Sequence, residues 1–173
     1  EINPVDADGN GNADGSGERI LNELVYRAVR AEFRGFEAQG KIRVWDRVGT
    51  LDLELRADRV TATNRDLGSP LPRIAPARLG VSVDYLFNRT TARLDITRAS
   101  AQNRVAAGEL PTDKYSLINF TVSHQLQMLG GDTEIFLRAN NINNAEARPH
   151  TSFLKDRAPL GGRGIMAGLK ATF

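Results

Sequence analysis

Near the start of the chain, Asp6 to Asp14 read D-A-D-G-N-G-N-A-D, which sets oxygen-bearing side chains at alternate positions. Calcium is held by several hard oxygens converging from a tightly turned backbone, and this spacing supplies them. Asp6, Asp8, Asn10 and Asp14 take loop positions 1, 3, 5 and 9 of an EF-hand-type arrangement, Asn12 offers its carbonyl at position 7, and Gly11 stands at position 6. The run is therefore a candidate Ca²⁺ site. It departs from the pattern at position 12, where Gly17 replaces the bidentate glutamate and Glu18 comes one residue late. No helical pattern flanks it, so the competing reading is a flexible acidic loop.

Two histidines are present, His124 and His150. His150 stands near Glu146 and Asp156 and is a weak candidate for zinc, which needs three or four ligands. His124 is in phase with an apolar strand face, where an interfacial ring is expected. Ser152 and Lys155 spell S-x-x-K, yet the S-D-N and K-T-G partners of that acylating chemistry are missing and the motif belongs on a helix. No Gly-rich phosphate loop opens a helix, and the chain has no cysteine, which removes disulfides, thiolate metal sites and cysteine nucleophiles. An enzyme is not expected.

The period of the apolar residues says what positions these groups. Ile165, Ala167, Leu169 and Ala171 alternate with small or polar neighbours up to the terminal Phe173. Leu51, Leu53, Leu55 and Ala57 face away from Asp52, Glu54, Arg56 and Asp58. Period 2 means two-faced strands, whereas a helix needs 3.6. Phe36, Ala38, Gly40, Ile42 and Val44 oppose Glu37, Gln39, Lys41 and Arg43 in the same way, and parity puts Trp45 on the polar side. Further strands are expected at Arg78–Phe87, around Ala92–Thr97, at Tyr115–Gln127, at Thr133 to about Ile142, and at Gly164–Phe173.

The connections alternate in length: short after 45, 87 and 127, long after 64, 105 and 142. Pro70, Pro72 and Pro76 bar regular pairing in the first long one, and Met128–Asp132 forms the last short one. Outer-membrane barrels combine short periplasmic turns with long extracellular loops. The predicted architecture is therefore all-β, an antiparallel up-and-down meander of about seven long strands, the C-terminal segment of a transmembrane β-barrel. Residues 1–18 would be an acidic Gly/Asn-rich extracellular loop and residues 19–173 the barrel strands. Tyr85, Phe87 and Phe173 fall near the short-turn ends, as an interfacial girdle would. Seven strands cannot close with an antiparallel seam, and no signal-peptide pattern opens the chain, so a fragment of a larger barrel is expected.

Composition agrees. Mean hydropathy is −0.36 with 25% charged residues, and no stretch approaches the roughly 18 apolar residues of a helical span. A barrel passes that test because only alternate residues meet lipid. With 23 basic against 21 acidic residues, no nucleic-acid partner is expected. The alternative class is a soluble all-β sandwich, a binding module with a calcium-stabilised loop.

Several local sequences resemble TonB-dependent outer-membrane receptors. E-F-R-G-F-E-A-Q-G at Glu32–Gly40 is similar to a barrel strand of that family, and F-L-R-A-N-N-I-N-N-A-E-A-R-P-H at Phe136–His150 is similar to its penultimate strand and exit. P-L-G-G-R at Pro159–Arg163 resembles the family's P-x-P-G-R, with Gly161 in place of the second proline, and Phe173 matches its terminal aromatic. The resemblance implies a plugged barrel of about 22 strands. It also implies uptake of a scarce nutrient such as a metal ion, metal chelate or corrinoid. The partners would be outer-membrane lipid, a plug domain, a TonB-type energy-coupling complex and a small nutrient ligand. H-T-S-F-L-K-D at His150–Asp156 looks nearest to zinc- or haem-uptake receptors.

Overall fold

The computed structural model describes residues 2–3, 23–24, 28–128 and 131–172. The chain divides into two compact units, Glu1–Arg30 and Ala31–Phe173. In the first, β1 (Ile2–Asn3) pairs antiparallel with β2 (Glu23–Leu24), Ile2 opposite Leu24. The acidic stretch expected to be all loop thus begins with two paired residues. The candidate calcium ligands Asp6, Asp8, Asn10, Asn12 and Asp14 lie outside the described residues, as does Phe173.

The second unit is one antiparallel sheet. Its long strands are β3 (Ala31–Trp45), β4 (Thr50–Asn64), β6 (Arg78–Phe87), β7 (Thr90–Ala99), β8 (Tyr115–Met128), β9 (Gly131–Asn140) and β10 (Gly164–Thr172). They follow one another in space as in sequence, and the two-residue β5 (Ser69–Pro70) pairs with the end of β4. The seven-strand meander is as the alternation predicts, with strands of up to 15 residues. Pro70 does pair, against the expectation, because it lies in a short edge strand where a missing N–H is tolerated. Gly131 and Asp132 are already in β9, opposite Met128 and Gln127, so that turn is tighter than Met128–Asp132. β9 ends at Asn140, two residues before the expected Ile142.

Register sorts the side chains, since directly paired residues share a face. One row runs Ile42, Leu53, Val83, Leu94, Phe120, Ala139, Ile165 across all seven strands. The next row on the opposite face runs Arg43, Asp52, Asp84, Arg93, Thr121, Arg138, Met166. The first face is aliphatic and open, with Phe36 60%, Leu79 60% and Ile165 72% exposed. The only hydrophobic side chains buried among the described residues are Ala62, Ala99 and Ala147. A water-soluble sandwich hides its aliphatic faces between two sheets. Among the described residues of this unit the strands make a single layer with no second sheet against its aliphatic face, and the sandwich alternative fails on that point.

Trp45 corrects the parity reading. A register shift between Arg43 and Trp45 places Trp45 opposite Leu51, which in turn faces Tyr85. One extra residue in β3 flips all that follow it to the other face, so the indole joins the aliphatic side. Tyr85 Oη donates to Val48 O at 3.0 Å, tying this aromatic end to the β3–β4 turn. Gly49 in that turn has φ 77°, and an added Cβ would lie 2.5 Å from Leu86 O, so only glycine fits.

Candidate functional site

The polar face carries the chemistry. Alternation in β4 aims Asp52, Glu54, Arg56 and Asp58 at it, and pairing brings in Asp84 and Ser82 from β6 and Arg93 and Asp95 from β7. Arg93 is the hub: Nη1 donates to both oxygens of Asp84 at 2.8 Å, and Nη2 to Ser82 Oγ at 2.8 Å and Glu54 Oε2 at 3.2 Å. Arg56 Nη2 reaches Asp95 Oδ2 at 2.5 Å and Ser82 Oγ at 3.0 Å. Its guanidinium can lie flat because Gly80 is beside it; a Cβ there would be 3.0 Å from Arg56 Nε. Lys41 bridges Asp52 at 3.4 Å and Asp84 at 3.3 Å, and Arg43 pairs with Asp52 at 2.8 Å. Four cations thus meet the four carboxylates Asp52, Glu54, Asp84 and Asp95 on five residues' width of wall. Such a network keeps ionic groups satisfied where water is scarce and offers spare lone pairs and N–H groups to whatever lies against the wall.

A second polar knot lies in the long connections. His150, 2% exposed, has Nδ1 within 3.0 Å of Thr112 Oγ1 and 3.4 Å of Lys155 Nζ. Its Nε2 is 3.1 Å from Glu109 Oε1, close but without the alignment of a good hydrogen bond. Glu109 accepts the N–H groups of Arg73 at 2.9 Å and Ala106 at 3.1 Å, and the Lys155 ammonium donates to Leu110 O. The Arg73 guanidinium also stacks 3.6 Å from the Phe153 ring centroid. Three connections, residues 65–77, 100–114 and 141–163, are stitched together around Glu109.

The neighbours expected to help His150 hold zinc are placed elsewhere: Glu146 pairs with Arg148 at 2.8 Å, and Asp156 acts on His150 only as a distant charge. Among the described residues no three His, Cys, Asp or Glu side chains gather as a metal site, and zinc on Nδ1 would have to displace the Lys155 ammonium. His124 lies on the aliphatic face opposite Thr90, whose Oγ1 is 2.8 Å from Nδ1. Ser152 Oγ accepts the Leu154 N–H in a loop turn, and Lys155 is spent on the knot, so S-x-x-K does not form a nucleophile pair.

Burial, and then the Lys155 charge, hold the His150 pKa below its ordinary value, against the pull of Glu109 and Asp156. A histidine whose pKa is lower folded than unfolded stabilises above the unfolded value of about 6.5, and that contribution is lost as pH falls. Glu109, raised by burial but lowered further by the Ala106 and Arg73 N–H groups, changes in the same direction at more acidic pH. The protection factors of the Arg73, Ala106 and Thr112 amides, each referred to the intrinsic exchange rate at the same pH, are therefore expected to fall from pH 7.5 to 5.0, and less so in His150→Gln. Equal protection factors at both pH values would contradict the knot.

Sequence reading missed this knot and the role of the asparagines after β9. Asn141, 4% exposed and at φ 48°, accepts the Ala145 N–H at 2.8 Å and donates to Ala145 O and Gly161 O. Asn143 bonds Ser116 O and Ile118 N. The N-N-I-N-N run is a signal for left-handed backbone and side chains that imitate peptide groups.

One open sheet, hydrocarbon on one face and a charge network on the other, with short connections at one end and long ones at the other, defines a wall of a transmembrane β-barrel. The comparison with protein families agrees. A family model described as TonB dependent receptor-like, beta-barrel, matches residues 2–142, and the chain belongs to the TonB-dependent receptors. This is a family of receptors and transporters rather than of enzymes.

Proposed function

We propose that the chain is the C-terminal part of the barrel of an outer-membrane receptor that actively takes up a scarce nutrient, a metal ion, metal chelate or corrinoid. The observation that carries this is the pair of adjacent rows, Ile42 to Ile165 on one face and Arg43 to Met166 on the other. Lipid meets the first. Asp52, Glu54, Arg56, Asp58, Arg93, Asp95 and Arg138 line the interior, where a plug or a passing ligand bears on them. β3 adds support: among the described residues no strand pairs its outer edge, and an open edge of 15 residues is an aggregation hazard in water. The family implies a Gram-negative outer-membrane location, a plug and contact with a TonB-type complex.

Fractionation of cells producing the intact receptor tests the location, and uptake of a radiolabelled metal chelate with and without a protonophore tests the energy coupling. Outer-membrane recovery with protonophore-sensitive uptake is expected. A monodisperse protein in detergent-free buffer would overturn the reading, because the aliphatic face would then have to be covered. We propose further that Asp6, Asp8, Asn10, Asn12 and Asp14 bind Ca²⁺, on the sequence spacing alone; calorimetric titration giving no heat would remove that assignment.

A further inference from the structure

The aliphatic face ends toward the long connections in a basic concavity of about 280 Å³ between β4 and residues 74–77 and 100–104. Arg59 and Thr61 enter it from β4, on the same face as Leu51, Leu53 and Leu55. Arg104 enters from the loop, with Ser100 and Gln102 beside it, and none of the lining residues is acidic. Arg104 uses two N–H groups on Ala62 O and Thr63 Oγ1, both at 2.7 Å, out of the five a guanidinium carries. Arg59 is exposed and has no carboxylate partner among the described residues. Arg98 stands on the same face in β7, opposite Leu79, also exposed and without a carboxylate partner among the described residues.

Most other arginines of this sheet are neutralised: Arg34 by Glu32, Arg43 by Asp52, Arg56 by Asp95, Arg78 by Asp58, Arg93 by Asp84. Arg59, Arg98 and Arg138 have no carboxylate partner among the described residues; Arg138 faces the interior, beside the Phe136 ring, while Arg59 and Arg98 sit where the hydrocarbon face stops. Unpaired guanidiniums facing lipid are costly at the bilayer centre and cheap at its boundary, where phosphates are found. Two-pronged N–H donation suits a phosphate better than a chloride or a single hydroxyl. A free anion would have no use for the row of Leu51, Leu53 and Leu55 leading away from the concavity, whereas an acyl chain would lie along it.

We propose that this concavity, with Arg98 beside it, binds the phosphate of an anionic lipid headgroup in the outer leaflet. The proposal rests on the barrel-wall reading. Its test uses the intact receptor reconstituted in phosphatidylcholine vesicles containing a minority of phosphatidic acid, extracted gently and weighed by native mass spectrometry. The receptor is expected to retain phosphatidic acid in preference to phosphatidylcholine. Arg59→Gln combined with Arg98→Gln, which leaves the loop contacts of Arg104 in place, should lower that retention at least about fivefold. Arg78→Gln, on the other face, should not. Equal retention by the double variant overturns the proposal, as does full displacement by millimolar inorganic phosphate, which would make this a free-anion site. Failure of the receptor to insert at all would remove the barrel-wall reading and the proposal with it.

Discussion

Leu94→Arg is expected to destabilise the membrane-embedded barrel by about 2–4 kcal/mol, the range for arginine on the lipid face near the bilayer midplane. Leu94 is in the middle of the row from Ile42 to Ile165, flanked by Val83 and Phe120, with further aliphatic residues on either side along β7. It lies four residues from the short turn and five from the strand's other end, too deep for the guanidinium to reach either boundary easily. Arg98, one turn of the pleat from the long loop, escapes this penalty by position alone. The measurement is the urea midpoint of the intact receptor folded into vesicles, followed by its heat-modifiable migration. Leu94→Ala should move the midpoint much less, because lipid can fill the space left behind. If Leu94→Arg folds with an unchanged midpoint, that face does not meet lipid.

Arg93→Met should cost about 1–2 kcal/mol. Removing one partner from a fully buried ion network costs about 3–5 kcal/mol, and here the Arg93 side chain is 36% exposed, so solvent screens part of the loss. The loss has identifiable parts: Asp84 keeps only Lys41 at 3.3 Å, Glu54 keeps Gln39 Nε2 at 2.7 Å and Arg56 at 3.9 Å, and Ser82 Oγ loses one donor. Arg93→Lys should recover only part of it, because an ammonium cannot bridge Asp84, Ser82 and Glu54 at once. Uptake should fall with Arg93→Met as well, since the wall facing the plug would carry an uncompensated negative charge. A midpoint and an uptake rate both indistinguishable from wild type would show that the network is ornamental.

Much of this wall is legible in the sequence. Strand positions and faces follow from alternation, a property of each residue and its immediate neighbours, so L-D-L-E-L-R-A-D declares its two sides without reference to anything distant. Turns of the Asn88-Arg89 kind are equally local; Asn88 takes φ 53° there, as asparagine readily does. The meander order follows too, because short connections leave an antiparallel neighbour as the only partner within reach.

The errors have one origin. Trp45 was assigned to the polar side by counting, and a bulge that depends on how β3 meets β4 reversed it. His150 drew attention with Glu146 and Asp156 because they are near in sequence, whereas its actual neighbours Glu109 and Thr112 are 41 and 38 residues away. Pairing between distant segments is set by register and loop course, and neither leaves a mark on the residues concerned.

Alone, then, the sequence determined that this chain makes two-faced strands, hydrocarbon on one side and ions on the other, joined by alternating short and long connections. Only the tertiary structure decided which ions meet, that Gly80 makes room for Arg56, and that three loops close around Glu109. The physical reason is that side-chain alternation costs nothing beyond the strand itself, while a contact exists only once the whole sheet has fixed where both partners stand.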